Sequence, residues 1–162
     1  MAADIFLKLG DVKGESIDHT HKDEIEVLSW SWGANQSATF HEGTGGGSGK
    51  GSIKNLSIAK YMDQSSPTLF QLCVSGQHIE SAQLTVRKAG GKSPLEYFKL
   101  KLKKVLISSY ATGGSGGMDR ITENISLNFA EVEAVYQPQD TTGAKKGGEV
   151  TGKWNIPANA EA

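Results

Sequence analysis

Apolar and polar residues alternate along most of the chain, and a period of two marks half-buried strands. The first run is Asp4 to Leu9, with Ile5, Leu7 and Leu9 on one face. The second is Glu24 to Trp32. Ile25 and Val27 alternate first, then Leu28, Trp30 and Trp32, so the phase slips between Val27 and Leu28. A slip inside one continuous strand predicts a β-bulge, a device common where a sheet curls into a barrel. Ser52 to Lys60 is weaker, with Lys54, Leu56 and Ile58 in phase. His78 to Arg87 alternates cleanly, Ala82, Leu84 and Val86 against Ser81, Gln83 and Thr85. Residues 88–92 (KAGGK) predict the turn to a hairpin partner running from about Leu95 to Tyr110. In that partner Phe98, Leu100 and Leu102 share one phase and Val105 and Ile107 the other, a second slip. Arg120 to Tyr136 carries a third: Ile121, Ile125, Leu127 and Phe129, then Ala130, Val132, Ala134 and Tyr136. A short strand near Val150 to Trp154 closes the pattern.

One segment keeps helical spacing. Ser66 and Pro67 supply an N-cap and a proline at the first helical position, and Gly76 a stop. Between them Leu69, Phe70, Cys73 and Val74 recur as an apolar stripe, predicting a helix over 66–75 with Cys73 packed in the core. Long strands with phase slips, one short helix and glycine-rich loops predict a mainly β fold: a small antiparallel β-barrel with one short flanking α-helix. No solenoid repeat and no dividing linker interrupt the chain, so residues 1–162 read as a single domain. Residues 137–148 read as a polar surface loop.

Composition narrows the function. Lys and Arg number 17 against 18 Asp and Glu, a net charge of -1 that argues against a nucleic-acid-coating protein. Glycine is 20 of 162 residues, above the usual ~7%, which explains the low apolar content through loops. The lone Cys73 permits neither an intrachain disulfide nor a cysteine zinc site. No apolar run reaches the ~18 residues of a membrane span. The first residues lack the basic, apolar and small-residue succession of a signal peptide, so export would follow another route.

Candidate sites are few. The loop Gly43, Thr44, Gly45, Gly46, Gly47, Ser48, Gly49, Lys50 and Gly51 invites a phosphate-loop reading, but Thr44 stands where that pattern needs glycine and Gly51 where it needs Ser or Thr. A strand, not a helix, follows it. The loop reads instead as a flexible arm, suited to ordering against a neighbouring subunit. His19 and His21 sit among charges and read as a solvated loop, and His41 as exposed. Trp30 and Trp32 share one strand face with Ser29 and Ser31 on the other, the pattern of a wall between packed protein and water. Lys99, Lys101 and Lys103 oppose Leu100 and Leu102 as a solvated face. No carboxylate pair, nucleophile triad or metal set emerges, so neither enzyme nor cofactor is expected. A nucleotide hydrolase using the glycine loop and a sugar-binding barrel using the tryptophans remain the rival classes.

Several segments, taken in order, resemble the haemolysin-coregulated protein (Hcp) family, the tube component of bacterial type VI secretion. They are residues 5–16 (IFLKLGDVKGES), 27–33 (VLSWSWG), the glycine loop ending Gly49-Lys50, 60–63 (KYMD), Ser66-Pro67, 84–90 (LTVRKAG), 122–124 (TEN), 127–129 (LNF), Val135-Tyr136 and Trp154-Asn155. The resemblance spans nearly the whole chain. It is closest to stand-alone members, since only eight residues follow Trp154. It implies hexameric rings with a wide lumen, stacked into a tube. A contractile sheath on a baseplate expels that tube with a spike protein at its tip, and some members carry effector proteins in the lumen. On this reading the protein starts in the cytoplasm and is secreted without a signal peptide, without membrane insertion. Ser29 and Ser31 are then expected on the lumen wall, and residues 43–50 at a subunit or ring-stacking contact. A phage-like tail tube is the alternative machine for the same fold.

Overall fold

The computed structural model describes residues 3–38, 50–88 and 93–162. In chain order the elements are β1 (Ala3–Leu9), β2 (Ile25–Glu26), β3 (Ser29–Ser31), β4 (Ala34–Gln36), β5 (Gly51–Ile53), β6 (Leu56–Tyr61), α1 (Ser66–Ser75), β7 (Ile79–Lys88), β8 (Glu96–Gly113), β9 (Thr122–Tyr136) and β10 (Val150–Asn155). Among the described residues, ten strands and one helix match the predicted class. The main sheet is antiparallel in the order β2-β1-β7-β8-β9-β6-β3, with β10 pairing the second half of β9.

Curling is the consequence of the first phase slip. The segment 24–32 is not one bulged strand but two short ones pairing with opposite ends of the sheet: β2 with β1 and β3 with β6. The handover takes two residues. Val27 N–H donates to Ile5 O (3.0 Å) and Leu28 N–H to Ala59 O (2.7 Å). Neighbouring amides thus bond to opposite sheet edges, and the sheet curls around an apolar centre that includes Leu7, Leu9, Ile25, Leu56, Leu84, Leu100 and Leu127.

The second and third slips meet in space. Leu102 pairs with Val132 and Val105 with Phe129, and all four are buried although each pair is three residues apart in its strand. Lys104, between them, takes a left-handed φ of 54°. Such a residue turns the strand enough to return the next apolar side chain to the core. A separate bulge falls between Ile107 and Ser109. Beyond the third slip the expected phase is partly wrong: Val135 is buried and Tyr136 exposed.

The run expected over 52–60 also divides. β5 pairs with β4 as a separate two-stranded hairpin, and Lys54 is exposed rather than in phase with Leu56. The helix has the predicted bounds, and Gly76 ends it at a φ of 68°, its N–H reaching Leu72 O and Cys73 O. Two helix expectations need correction. The residue preceding the helix is Ser65, and it makes no side-chain cap. Of the apolar stripe only Leu69 is buried, while Phe70 and Val74 are exposed and Cys73 is half-buried. Leu69, Leu72 and Cys73 form the inward face instead, an i, i+3, i+4 set as good as the one expected. In the loop after β9, Gln137 is buried, its N–H on Tyr97 O (2.9 Å).

Candidate functional site

β3, β6, β9 and the second half of β8 lie side by side and share one outward face. Register sets its rows. Ser31 lies opposite Ser57, Ser57 opposite Ser126, and Ser126 opposite Ser109. The next row is Ser29, Ala59, Asn124 and Ala111. Ser57 and Ser126 hydroxyls are 3.2 Å apart, Asn55 Nδ2 donates to Ser108 Oγ (3.0 Å), and Asn128 Nδ2 donates to Asn55 Oδ1 (3.0 Å). None of these residues is ionisable. Ser29 and Ser31 are exposed on this face, while Trp30 turns inward and stacks on Phe98 with ring centroids 5.3 Å apart. The tryptophan-in, serine-out reading of the strand therefore holds.

The face has two unpaired edges. Among the described strands β3 ends the sheet path and bonds only to β6. On the opposite side β7 pairs β8 no further than Val105, so residues 106–113 bond to β9 alone among the described strands. The first half of β8 differs in chemistry. Lys101 and Lys103 are exposed there, opposite Glu133 and Glu131. The corner at Lys104 thus separates a charged surface from an uncharged one on the same pair of strands.

Behind the uncharged face sits a buried ion cluster that pattern reasoning missed. Lys60 and Glu123 are fully buried, with Nζ 2.7 Å from Glu123 Oε2. Lys60 Nζ also reaches Asp63 Oδ1 (3.1 Å) and Ser66 Oγ (3.2 Å), and the Ser66 hydroxyl donates to Glu123 (2.8 Å). The Tyr110 hydroxyl donates to the other Glu123 oxygen. Burial first, then Glu123, pushes the Tyr110 phenol up to about 12. These groups tie β6, the turn into α1, β8 and β9 together. Lys60, Asp63, Ser66 and Glu123 all stand in segments that carried the family resemblance, which was the available signal.

A second polar cluster corrects the solvated-loop reading at His21. The ring is buried, stacked on Phe6 with centroids 4.5 Å apart. Its Nδ1 lies 2.9 Å from Glu24 and its Nε2 2.5 Å from Glu96. His19 is exposed, as expected. Nearby, Arg87 Nη2 donates to Asp18 (2.5 Å) and Asp4 (3.0 Å). These contacts bind the loop between β1 and β2 to the start of β8 through His21 and to the end of β7 through Asp18. Arg87 holds the Asp18 carboxyl well below its ordinary range. A depressed carboxyl contributes stability that is complete above its unfolded value near 3.8, and that is lost as pH falls toward the folded value. Melting temperature measured from about pH 5 down to about pH 2 is expected to fall more steeply for the wild type than for Arg87→Gln. Parallel curves would disprove that role.

Lys50 is exposed beside β5, and Gly43, Thr44, Gly45, Gly46, Gly47, Ser48 and Gly49 lie outside the described residues, as does His41. Among the described residues no group of three His, Cys, Asp or Glu side chains could hold a metal ion. Among the described residues no helix is long and apolar enough to cross a membrane.

A curled sheet with an uncharged face and an unpaired edge on either side is the geometry of a protein that assembles from copies of itself. Comparison with known proteins gives that class a family. The family model described as "Type VI secretion system effector, Hcp" matches residues 6–136. Protein hcp1 of Pseudomonas aeruginosa is 56% identical over 162 residues, covering all of both chains. Among solved structures, a type six secretion system protein superposes with a TM-score of 0.91 at 35% identity, covering 99% of this chain and 100% of that one. Hcp1 of Salmonella typhimurium gives 0.82 at 40% identity, with both chains covered in full. The chain belongs to the Hcp family of type VI secretion proteins. It is a structural subunit of the secretion tube, in a family that assembles as hexameric rings and is secreted.

Proposed function

We propose that the four-stranded uncharged face, with Ser29 and Ser31 at one side, is the lumen wall of the ring, and that effector proteins travel against it. The observation that carries this is the absence of any ionisable side chain from rows running across four strands. Small hydroxyl and amide groups keep a channel wide. They stay hydrated while cargo slides past, and charged groups desolvated by cargo would oppose its passage. Many weak contacts retain a passenger without trapping it. In this reading the whole chain acts as one barrel domain with no catalytic role of its own. Rings form in the cytoplasm and stack on a baseplate, and a sheath drives the tube out behind a spike. Residues 43–50 serve as the arm that meets a neighbouring subunit or ring. Gln36 and Gly51, which flank that segment in the chain, are paired across the β4–β5 hairpin.

Ser31→Trp tests the wall. Six-fold rings should persist by light scattering and electron microscopy, while a co-expressed small effector no longer co-purifies with them. A Ser31→Trp chain that falls to monomer would place this residue in a subunit interface and overturn the assignment.

A further inference from the structure

The loop between β1 and β2 is fastened at two points, and the two fastenings depend on protons in opposite senses. One is the Arg87–Asp18 pair, which acid weakens. The other is His21. Its ring is buried against Phe6, with Nδ1 2.9 Å from Glu24 Oε2 and Nε2 2.5 Å from Glu96 Oε1. Glu24 belongs to the same loop, whereas Glu96 opens β8, 75 residues away in the chain. An ionised carboxylate only accepts, so both bonds exist together only when each ring nitrogen carries a proton. A neutral imidazole has one N–H and one bare lone pair. That lone pair would face a carboxylate oxygen in a site largely closed to water.

Four carboxylates surround the ring, and two fixed cations answer them. Asp18 accepts from the His21 backbone N–H (3.2 Å). Asp18 and Asp4 both accept from Arg87, whose guanidinium lies 5.0 Å from the Phe6 ring centre. Lys99 stands 3.5 Å from Glu96. Lys22 and Asp23, of opposite charge, follow His21 in the loop. Among the described residues Glu24 has no cationic partner but His21. We propose that His21 is a proton-operated clasp. With both nitrogens protonated it ties the loop to β8. Loss of one proton breaks one bond, and the bond to Glu96 is the one released. Glu96 is 28% exposed against 15% for Glu24, and it has Lys99 beside it. The loop then keeps its Arg87 anchor and its Glu24 contact but comes free of β8. The sign is opposite to that of Asp18: this tie is complete in the protonated state and is lost as pH rises. The clasp lies within one chain and needs neither lumen nor ring.

Hydrogen exchange on the whole chain, read by mass spectrometry from about pH 6 to about pH 9, tests the clasp. Exchange at the imidazole C2 carbon reports the protonation of each ring, with exposed His19 and His78 as internal references. Amide exchange across residues 10–24, divided by the intrinsic rate at each pH, reports opening of the loop. Its protection should fall about tenfold as the His21 ring deprotonates, the equivalent of one charge-assisted hydrogen bond. Glu96→Gln separates a clasp from a merely buried ring. The new amide donates to a bare Nε2 and accepts from a protonated one, so the loop should stay protected over the whole range. His21→Phe keeps an aromatic ring against Phe6 and has no proton to lose, so its loop should be open at every pH. Thermal melts establish that both variants fold, and Glu96→Gln alone decides should His21→Phe not fold. Loop protection that holds while the His21 ring deprotonates would overturn the proposal. So would a ring whose protonation does not change over this range, or a Glu96→Gln chain that keeps the wild-type step.

Discussion

Replacing Lys60 by Met is expected to lower the free energy of unfolding by about 3–5 kcal/mol, the usual cost of breaking a buried ion pair from one side. Lys60 and Glu123 are both sealed from solvent. Without the ammonium, Glu123 keeps the Ser66 and Tyr110 hydroxyls as donors but loses the charge that neutralises it. Asp63 and Ser66 lose a donor too. The burial of a charge costs far more than a methionine of similar length returns by packing. Urea unfolding followed by far-UV circular dichroism measures the loss. Adding Glu123→Gln to Lys60→Met should recover a substantial part of it, because the amide removes the stranded charge and still accepts from Tyr110. A Lys60→Met protein within about 0.5 kcal/mol of wild type would mean the cluster is not a strength of this fold. The cluster also fixes the start of α1 through Ser66.

Gly14→Ala is expected to cost about 3 kcal/mol, at the upper end of what overpacking does. A Cβ at position 14 would stand 2.4 Å from Glu24 O and 2.7 Å from the Ile25 Cα. Both are backbone atoms, so no side chain can swing aside. The approach is close because Gly14 N–H donates to Asp23 O (2.8 Å) and Ser16 N–H to Glu24 O (3.1 Å), bringing the loop against β2. β2 is the strand that hands the chain from one sheet edge to the other. Pushing it away strains Val27 and Leu28 as well. A neighbouring control is Gly116→Ala, where nothing lies within 4 Å of the added carbon and no loss is expected. Equal stability of the two variants in the same urea titration would disprove the close approach.

The sequence was most readable where the pattern was local. β1, β7, β10 and α1 fall near their predicted bounds because period, proline and glycine act within a few residues. It was least readable where one short motif serves two distant partners. Val27 and Leu28 show a phase slip in any reading, but a bulge and a handover between sheet edges give the same slip. Only the positions of Ile5 and Ala59 distinguish them. His21 failed for a related reason. Its immediate neighbours are charged, as in a solvated loop, and burial comes from Phe6 and Glu96, which lie far off in the chain. Lys60 and Glu123 are ordinary surface residues by type. Nothing at either position announces that the other will neutralise it.

By itself the sequence determined the class of fold, the helix over 66–75 and, through segments strung along nearly the whole chain, the family. It also separated Ser29 and Ser31 from Trp30, because alternation along a strand assigns faces without knowing what covers them. Only the tertiary structure decided which faces become continuous. Register joined serines from positions 31, 57, 126 and 109 into one row. The end of β7 at Val105 left half of β8 with a bare edge, and packing on that half turned Leu69 inward and Phe70 outward. Hydrophobic spacing fixes what a segment prefers to bury. What remains exposed depends on how far each neighbouring strand extends, and that is a property of the assembled sheet.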